Sequence, residues 1–225
     1  HIEKGDTMVV MGASGCGKSV LLKLIIRLLD PDSGEIWIDG KEITHLSEKQ
    51  MDEVRKDIGM VFQSSALFDS LTVGENVGFC LARRTTMTKS EIAKTVAEKL
   101  EMVGLKGIEN MMPSDLSGGM RKRVSLARAI SMNPQIILYD EPTTGLDPLM
   151  AEEINILIKK LHDELGVTSI VVTHDMKSAF SVATKMAMLK SGEIIAVGTP
   201  NEMRSNSRPW VFDFINTGIF CDEPK

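Results

Sequence analysis

Lys18 and Ser19 close the stretch GASGCGKS, residues 12–19, which follows an apolar run and leads into the helix-favouring VLLKLIIRLL. Glycines at this spacing let backbone N–H groups turn inward around phosphate oxygens. The helix start supplies a positive end, the lysine reaches the β and γ phosphates, and the hydroxyl ligates magnesium. The pattern G-x-x-x-x-G-K-[ST] occurs often by chance, and the strand before it and the helix after it are what give it weight. Gly12, Ala13, Ser14, Gly15, Cys16, Gly17, Lys18, Ser19 and Val20 are the candidate phosphate-binding residues. Cys16 is read as filling a variable position of the loop.

IILYDEP, residues 136–142, adds an apolar strand that ends in two carboxylates. Asp140 is placed to hold a magnesium shell, and Glu141 to take a proton from water attacking the γ phosphate. Alone, two adjacent acids read equally well as a solvated turn; with the glycine loop upstream they become the acidic half of a phosphoryl-transfer site. A nucleoside triphosphatase and a kinase both satisfy these two motifs. A third stretch, SDLSGGMRKRVSLARA over residues 114–129, sets Ser117, Gly118 and Gly119 before a basic, helix-favouring run. They would form the amino-terminal end of a helix, itself an anion site, although Ser117 as a plain helix cap fits too.

The elements that must position these residues alternate strand and helix. Apolar runs of strand length, rich in β-branched residues, lie at 7–11, 58–62, 136–139, 169–173 and 186–189, as buried parallel strands do. DPDSGEIWIDGKEI differs: Ile36 and Ile38 alternate with polar neighbours between glycine turns, which predicts an antiparallel hairpin. From about residue 72 to 132 strand signals vanish, while Ile92, Val96, Leu100 and Val103 recur at helical spacing with Gly104 as a stop. The expected class is α/β, a mainly parallel sheet with an inserted α-helical part.

With 225 residues, of which 43% are hydrophobic, the chain can bury a full core in one unit. A net charge of −5 argues against a nucleic-acid-binding surface, which would carry an excess of Lys and Arg. Cys16, Cys80 and Cys221 are an odd number without CxxC spacing, which predicts a reducing compartment and no disulfide framework. No apolar run approaches the ~20 residues that cross a bilayer, so the chain itself is expected to be soluble.

LSGGM, residues 116–120, resembles the signature of the ATP-binding cassette (ABC) ATPases, and that family's other motifs follow in order. Gln63 stands in VFQS after a strand, Gly145-Leu146-Asp147 just past the acidic pair, and His174 in VVTHD at the close of another strand. The resemblance covers essentially all 225 residues. It implies a P-loop NTPase (RecA-like) core, residues 1–71 and 133–225, with a small antiparallel β element and a helical subdomain at 72–132. It also implies a second copy of the chain: two ATPase subunits close head to tail, each ATP lying between the glycine loop of one and the signature of the other. Residue by residue, Lys18 and the loop amides take the phosphates of ATP, while Ser19, Gln63 and Asp140 take Mg2+ and its waters. Glu141 becomes the general base, His174 a switch at the γ phosphate and Asp147 a contact across the dimer. Ser117, Gly118 and Gly119 face the partner's nucleotide.

The signature ends in Met120 where many members have Gln. FQSSALFDSLTVGENV, residues 62–77, together with LSGGMRKRVSLARAI, is similar to the Mla-type ATPases of lipid-trafficking transporters, which work with an MCE-domain protein. The expected function is to energise phospholipid trafficking beside an integral membrane permease, at the cytoplasmic face of the inner (plasma) membrane. The segment around 66–76 would receive the permease. The ATPase of an amino-acid or ion importer would have almost the same core. A soluble ABC ATPase of ribosomes or DNA would bring a second cassette, coiled-coil insertions or zinc-binding cysteines. The chain opens at His1 already inside a domain, so a preceding segment with the family's adenine-stacking aromatic is expected. The tail from Pro209 concentrates Trp210, Phe212, Phe214 and Phe220, four of ten aromatics, and predicts a final helix packed on the core.

Overall fold

The computed structural model describes residues 1–217. Its centre is β1 (Thr7–Met11), in which all five residues are buried, as a strand covered on both faces requires. It pairs in parallel with β6 (Thr168–Thr173) on one side and β7 (Lys185–Lys190) on the other. Adding β4 (Ile58–Val61), β5 (Ile136–Asp140) and β8 (Glu193–Gly198) gives a six-stranded sheet of order β4-β5-β6-β1-β7-β8, in which only β8 runs antiparallel. Successive side chains of a strand face opposite ways. Met8 and Val10 therefore pack with Leu22 and Ile26 of the α1 region (α1, Lys18–Ile25), while Val9 and Met11 face the larger core on the other side.

That larger core draws on α3 (Val73–Arg84), α4 (Lys89–Met102), α5 (Gly118–Ala129), α6 (Pro148–Leu165) and α7 (Met176–Val182). The shorter α2 (Glu48–Lys56) packs beside β4. Thr72 with Glu75, and Thr88 with Glu91, form reciprocal capping boxes that fix where α3 and α4 begin. Gly104, at φ 74°, stops α4 as the sequence predicts, its N–H donating back to Glu101 O at 2.9 Å. Ile154, Leu157, Ile158 and Leu161 line the buried face of α6, and the chain's one tyrosine, Tyr139 on β5, is fully buried among these helices.

The hairpin is confirmed as β2 (Trp37–Ile38) and β3 (Lys41–Glu42), shorter than the sequence suggests, around a turn in which Asp39 and Gly40 both have positive φ. Ile36 and Ile38 are half-buried and Trp37 is exposed, so the alternation holds. Four strands differ in their bounds: β4 stops at Val61, β5 runs on to Asp140, β6 begins at Thr168, and β7 spans one more residue at each end. The sequence reading missed β8, which turns back through Ser191 and Gly192 at φ 49° and 85° and covers the open edge of β7. After α8 (Pro200–Arg204), the tail forms α9 (Pro209–Thr217) and buries Val211 and Phe214 in the larger core. Phe220 and Cys221 lie outside the described residues. Among the described residues no helix is long and apolar enough to cross a membrane.

Candidate functional site

The loop from Gly12 to Gly17 leaves the end of β1 and enters α1, and its shape depends on glycine at two kinds of position. Gly15 and Gly17 have φ of 80° and 110°, in the region that side chains rarely adopt. At Gly12 the constraint is space: an added Cβ would sit 2.4 Å from Leu189 O, a backbone atom that cannot step aside. Lys18 bends back over this loop, donating to Gly12 O at 2.9 Å and Ala13 O at 3.1 Å. Its ammonium is buried and lies 3.4 Å from Glu141 Oε1. Ser19 Oγ donates to Asp140 Oδ1 at 2.8 Å, which joins the first motif to the second across two neighbouring elements.

Glu141 is the hinge of this arrangement. It sits at φ 47°, a strained conformation for a residue with a side chain, and its N–H donates to Val172 O on β6. Oε2 accepts from Thr144 Oγ1 at 3.2 Å and lies 2.9 Å from His174 Nδ1. The cleft they border, about 280 Å³, is lined by Ser14, Gly15, Gly17, Lys18, Ser19, Val20, Gln63, Glu141 and His174. Two distant segments of the sequence thus join the glycine loop: Gln63 from the end of β4 and His174 from the end of β6.

Ser117, Gly118, Gly119 and Asp147 do not line this cleft. Ser117 caps α5, accepting from the Met120 N–H at 3.2 Å, and Asp147 caps α6, accepting from Leu149 and Met150 N–H at 3.0 Å each. The two caps are neighbours: a Cβ on Gly119 would meet Met150 Sδ at 3.1 Å, and one on Gly118 would meet Leu146. The start of α5 therefore offers a second anion-favouring surface, separate from the first, while at the start of α6 Pro148 has no N–H and the Asp147 carboxylate takes the two that follow.

A family model described as ABC transporter matches residues 1–144, more than half of the chain. An intermembrane phospholipid transport system ATP-binding protein, MlaF, of Haemophilus influenzae is 43% identical over 96% of this chain and 81% of its own length. A methionine import ATP-binding protein, MetN, of Carboxydothermus hydrogenoformans is 40% identical over 100% of this chain and 67% of its own. A solved dimeric ATP-binding cassette, bound to ADP and Pi in a post-hydrolysis state, superposes with a TM-score of 0.81 at 39% identity, covering 89% of this chain and 88% of that one. The chain belongs to the ABC transporter family.

As an ABC ATPase, it binds ATP, and its polar groups suit the metal that ATP chemistry uses. Ser19 Oγ and Asp140 Oδ1 are hard oxygen donors in contact with each other beside the glycine loop. That combination fits Mg2+, which binds through one or two protein oxygens plus phosphates and water rather than in a protein cage. Sequence reasoning missed two residues of this ATPase. Lys122, buried on α5, donates to Gln63 O at 2.7 Å, and Arg128 on the same helix donates to Ser65 O and Ala66 O at 2.8 and 2.7 Å. Burial pulls the Lys122 ammonium below the usual lysine range, with the charge of Asp140 opposing. Their signal in the sequence is slight, since MRKRVSLARA reads as one basic helix surface.

Proposed function

We propose that this ATPase energises phospholipid trafficking, with Mg-ATP held in the cleft of one subunit and closed over by the signature of a second copy. Lys18 and the loop amides take the phosphates, and Ser19, Asp140 and Gln63 hold Mg2+, whose charge when bound offsets that building on the phosphate oxygens. Glu141 takes the proton of the attacking water, oriented by Lys18, Thr144 and His174, which hold its carboxylate. His174 senses the γ phosphate from the same contact. Ser117, Gly118 and Gly119, with Asp147, meet the partner's nucleotide across the dimer, so closure needs two triphosphates and hydrolysis releases it. Residues 1–71 and 133–225 form the core of the subunit, and 72–132 its helical subdomain. An integral permease docks over residues 66–76, an MCE-domain protein completes the transporter, and the subunit rides at the cytoplasmic face of the inner membrane.

The observation that carries the lipid reading is the 43% identity to a phospholipid-transport ATPase over nearly the whole chain. The 40% identity to a methionine importer's ATPase supports a second reading, a small-solute importer, because the same cleft serves both. Affinity purification from detergent-solubilised cells, with mass spectrometry of proteins and lipids, separates them. A permease with an MCE-domain protein and enriched phospholipid is the expected result. A permease with a solute-binding protein and no enriched lipid would move the assignment to the importer.

A further inference from the structure

From Phe62 to Ala66 the chain around Gln63 is held to α5 by its carbonyl groups, before Asn76 of α3 takes over at Phe68. Lys122 Nζ donates to Gln63 O at 2.7 Å and lies 3.5 Å from Phe62 O. Six residues along α5, the Arg128 guanidinium spreads across Ser65 O and Ala66 O at 2.8 and 2.7 Å. Both carbonyls that it captures belong to residues in the left-handed region, Ser65 at φ 65° and Ala66 at φ 44°. Such a conformation is costly for residues that carry a Cβ and persists only where the surroundings over-determine it. The planar fork supplies that determination, because two N–H groups fixed in one plane admit one arrangement of two carbonyls.

Lys122 tightens the same joint from inside. It is 3% exposed, and among the described residues it forms no ion pair, so carbonyl dipoles in contact, with the charge of Asp140 farther off, stand in place of water. An ammonium left in such a place without acceptors is strongly disfavoured. The loop therefore cannot lift from the helix without stranding the charge, nor the helix slide without dragging the loop.

We propose that Lys122 and Arg128 are positioning residues that clamp the Gln63 loop to α5. A shift of the signature, which forms the first turn of that helix, then moves Gln63 in the same subunit's own cleft. The inference rests on the reading of Gln63 as a magnesium-side residue and adds to it a mechanical input from the partner's nucleotide.

Two variants of the full chain test it: Arg128→Lys, which keeps the charge and loses the fork, and Lys122→Met, which keeps the length and loses the charge. Amide hydrogen exchange across residues 62–68, without nucleotide, is expected to quicken about tenfold in either, the scale of one lost charged hydrogen bond, while the amides of α5 stay protected. Adding Ala66→Gly to Arg128→Lys should recover part of that protection, because glycine adopts the left-handed region at no cost. The Mg2+ concentration that half-saturates ATP turnover should rise, with a smaller change in the KM for ATP. Unchanged exchange at 62–68 in Arg128→Lys overturns the clamp. Faster exchange with an unmoved Mg2+ dependence upholds the clamp and overturns the assignment of Gln63 to the metal. Should Lys122→Met fail to fold, Arg128→Lys, nearer the surface, decides the matter alone.

Discussion

At the scale of the residue, Glu141 concentrates the chemistry. Its backbone is strained, and its two carboxylate oxygens are divided between Lys18 on one side and Thr144 and His174 on the other. A strained residue held by this many partners is pre-organised for its task, and the amide of Gln fills the same space without the basicity. Glu141→Gln should therefore bind Mg-ATP while turning it over ~100-fold or more slowly, which single-turnover hydrolysis and a nucleotide-binding titration would measure together. Near-normal turnover would remove Glu141 from the base role. The glycine loop and the acidic pair were legible in the sequence because each follows a short apolar strand, whereas Gln63 and His174 were legible only through the resemblance to the family. Lys122 was not, because Arg121, Lys122 and Arg123 are equivalent as letters and only tertiary packing decides that the middle one is buried.

At the scale of the element, helix starts carry the argument. Asp147 serves α6 as its cap and is also the residue proposed to reach across a dimer, and two substitutions separate the roles. Asp147→Ala removes the acceptor of two N–H groups and should cost about 1 kcal/mol, a fall in Tm of roughly 2–4 °C for a chain of this size. Asp147→Asn keeps a capping oxygen and should melt close to the parent; lost ATPase activity in that variant would then report the contact between subunits. The strands of the parallel sheet were readable because burial on both faces leaves continuous apolar runs. β8 was passed over although EIIAVG holds a four-residue apolar run, and as an edge strand it leaves Ile194 and Val197 largely exposed rather than buried on both faces. The Asp39-Gly40 turn, by contrast, announces its hairpin through the backbone it demands.

At the scale of the whole molecule, the cleft of one chain and the start of α5 are separate, and in the proposed dimer a second copy brings them together. Gly119→Leu should leave nucleotide binding to the glycine loop largely intact and abolish hydrolysis. An added Cβ at this buried position first meets the thioether of Met150, a flexible group, at 3.1 Å, and an unchanged Tm is the control that the monomer still folds around the larger side chain. Loss of binding as well would place the signature inside its own subunit's site. The buried position of Tyr139 has one more use. Burial pushes its phenol well above the ordinary tyrosine range, so the folded chain holds that proton at a pH where the unfolded chain releases it. Stability is complete below the unfolded pKa of about 10 and drains above it, by up to ~1.4 kcal/mol per pH unit, and Tyr139→Phe should abolish this component. Because the chain has no other tyrosine, ultraviolet phenolate absorbance in an alkaline titration becomes an optical gauge of one place, the seam between β5 and the helices, and dates its opening without any added label.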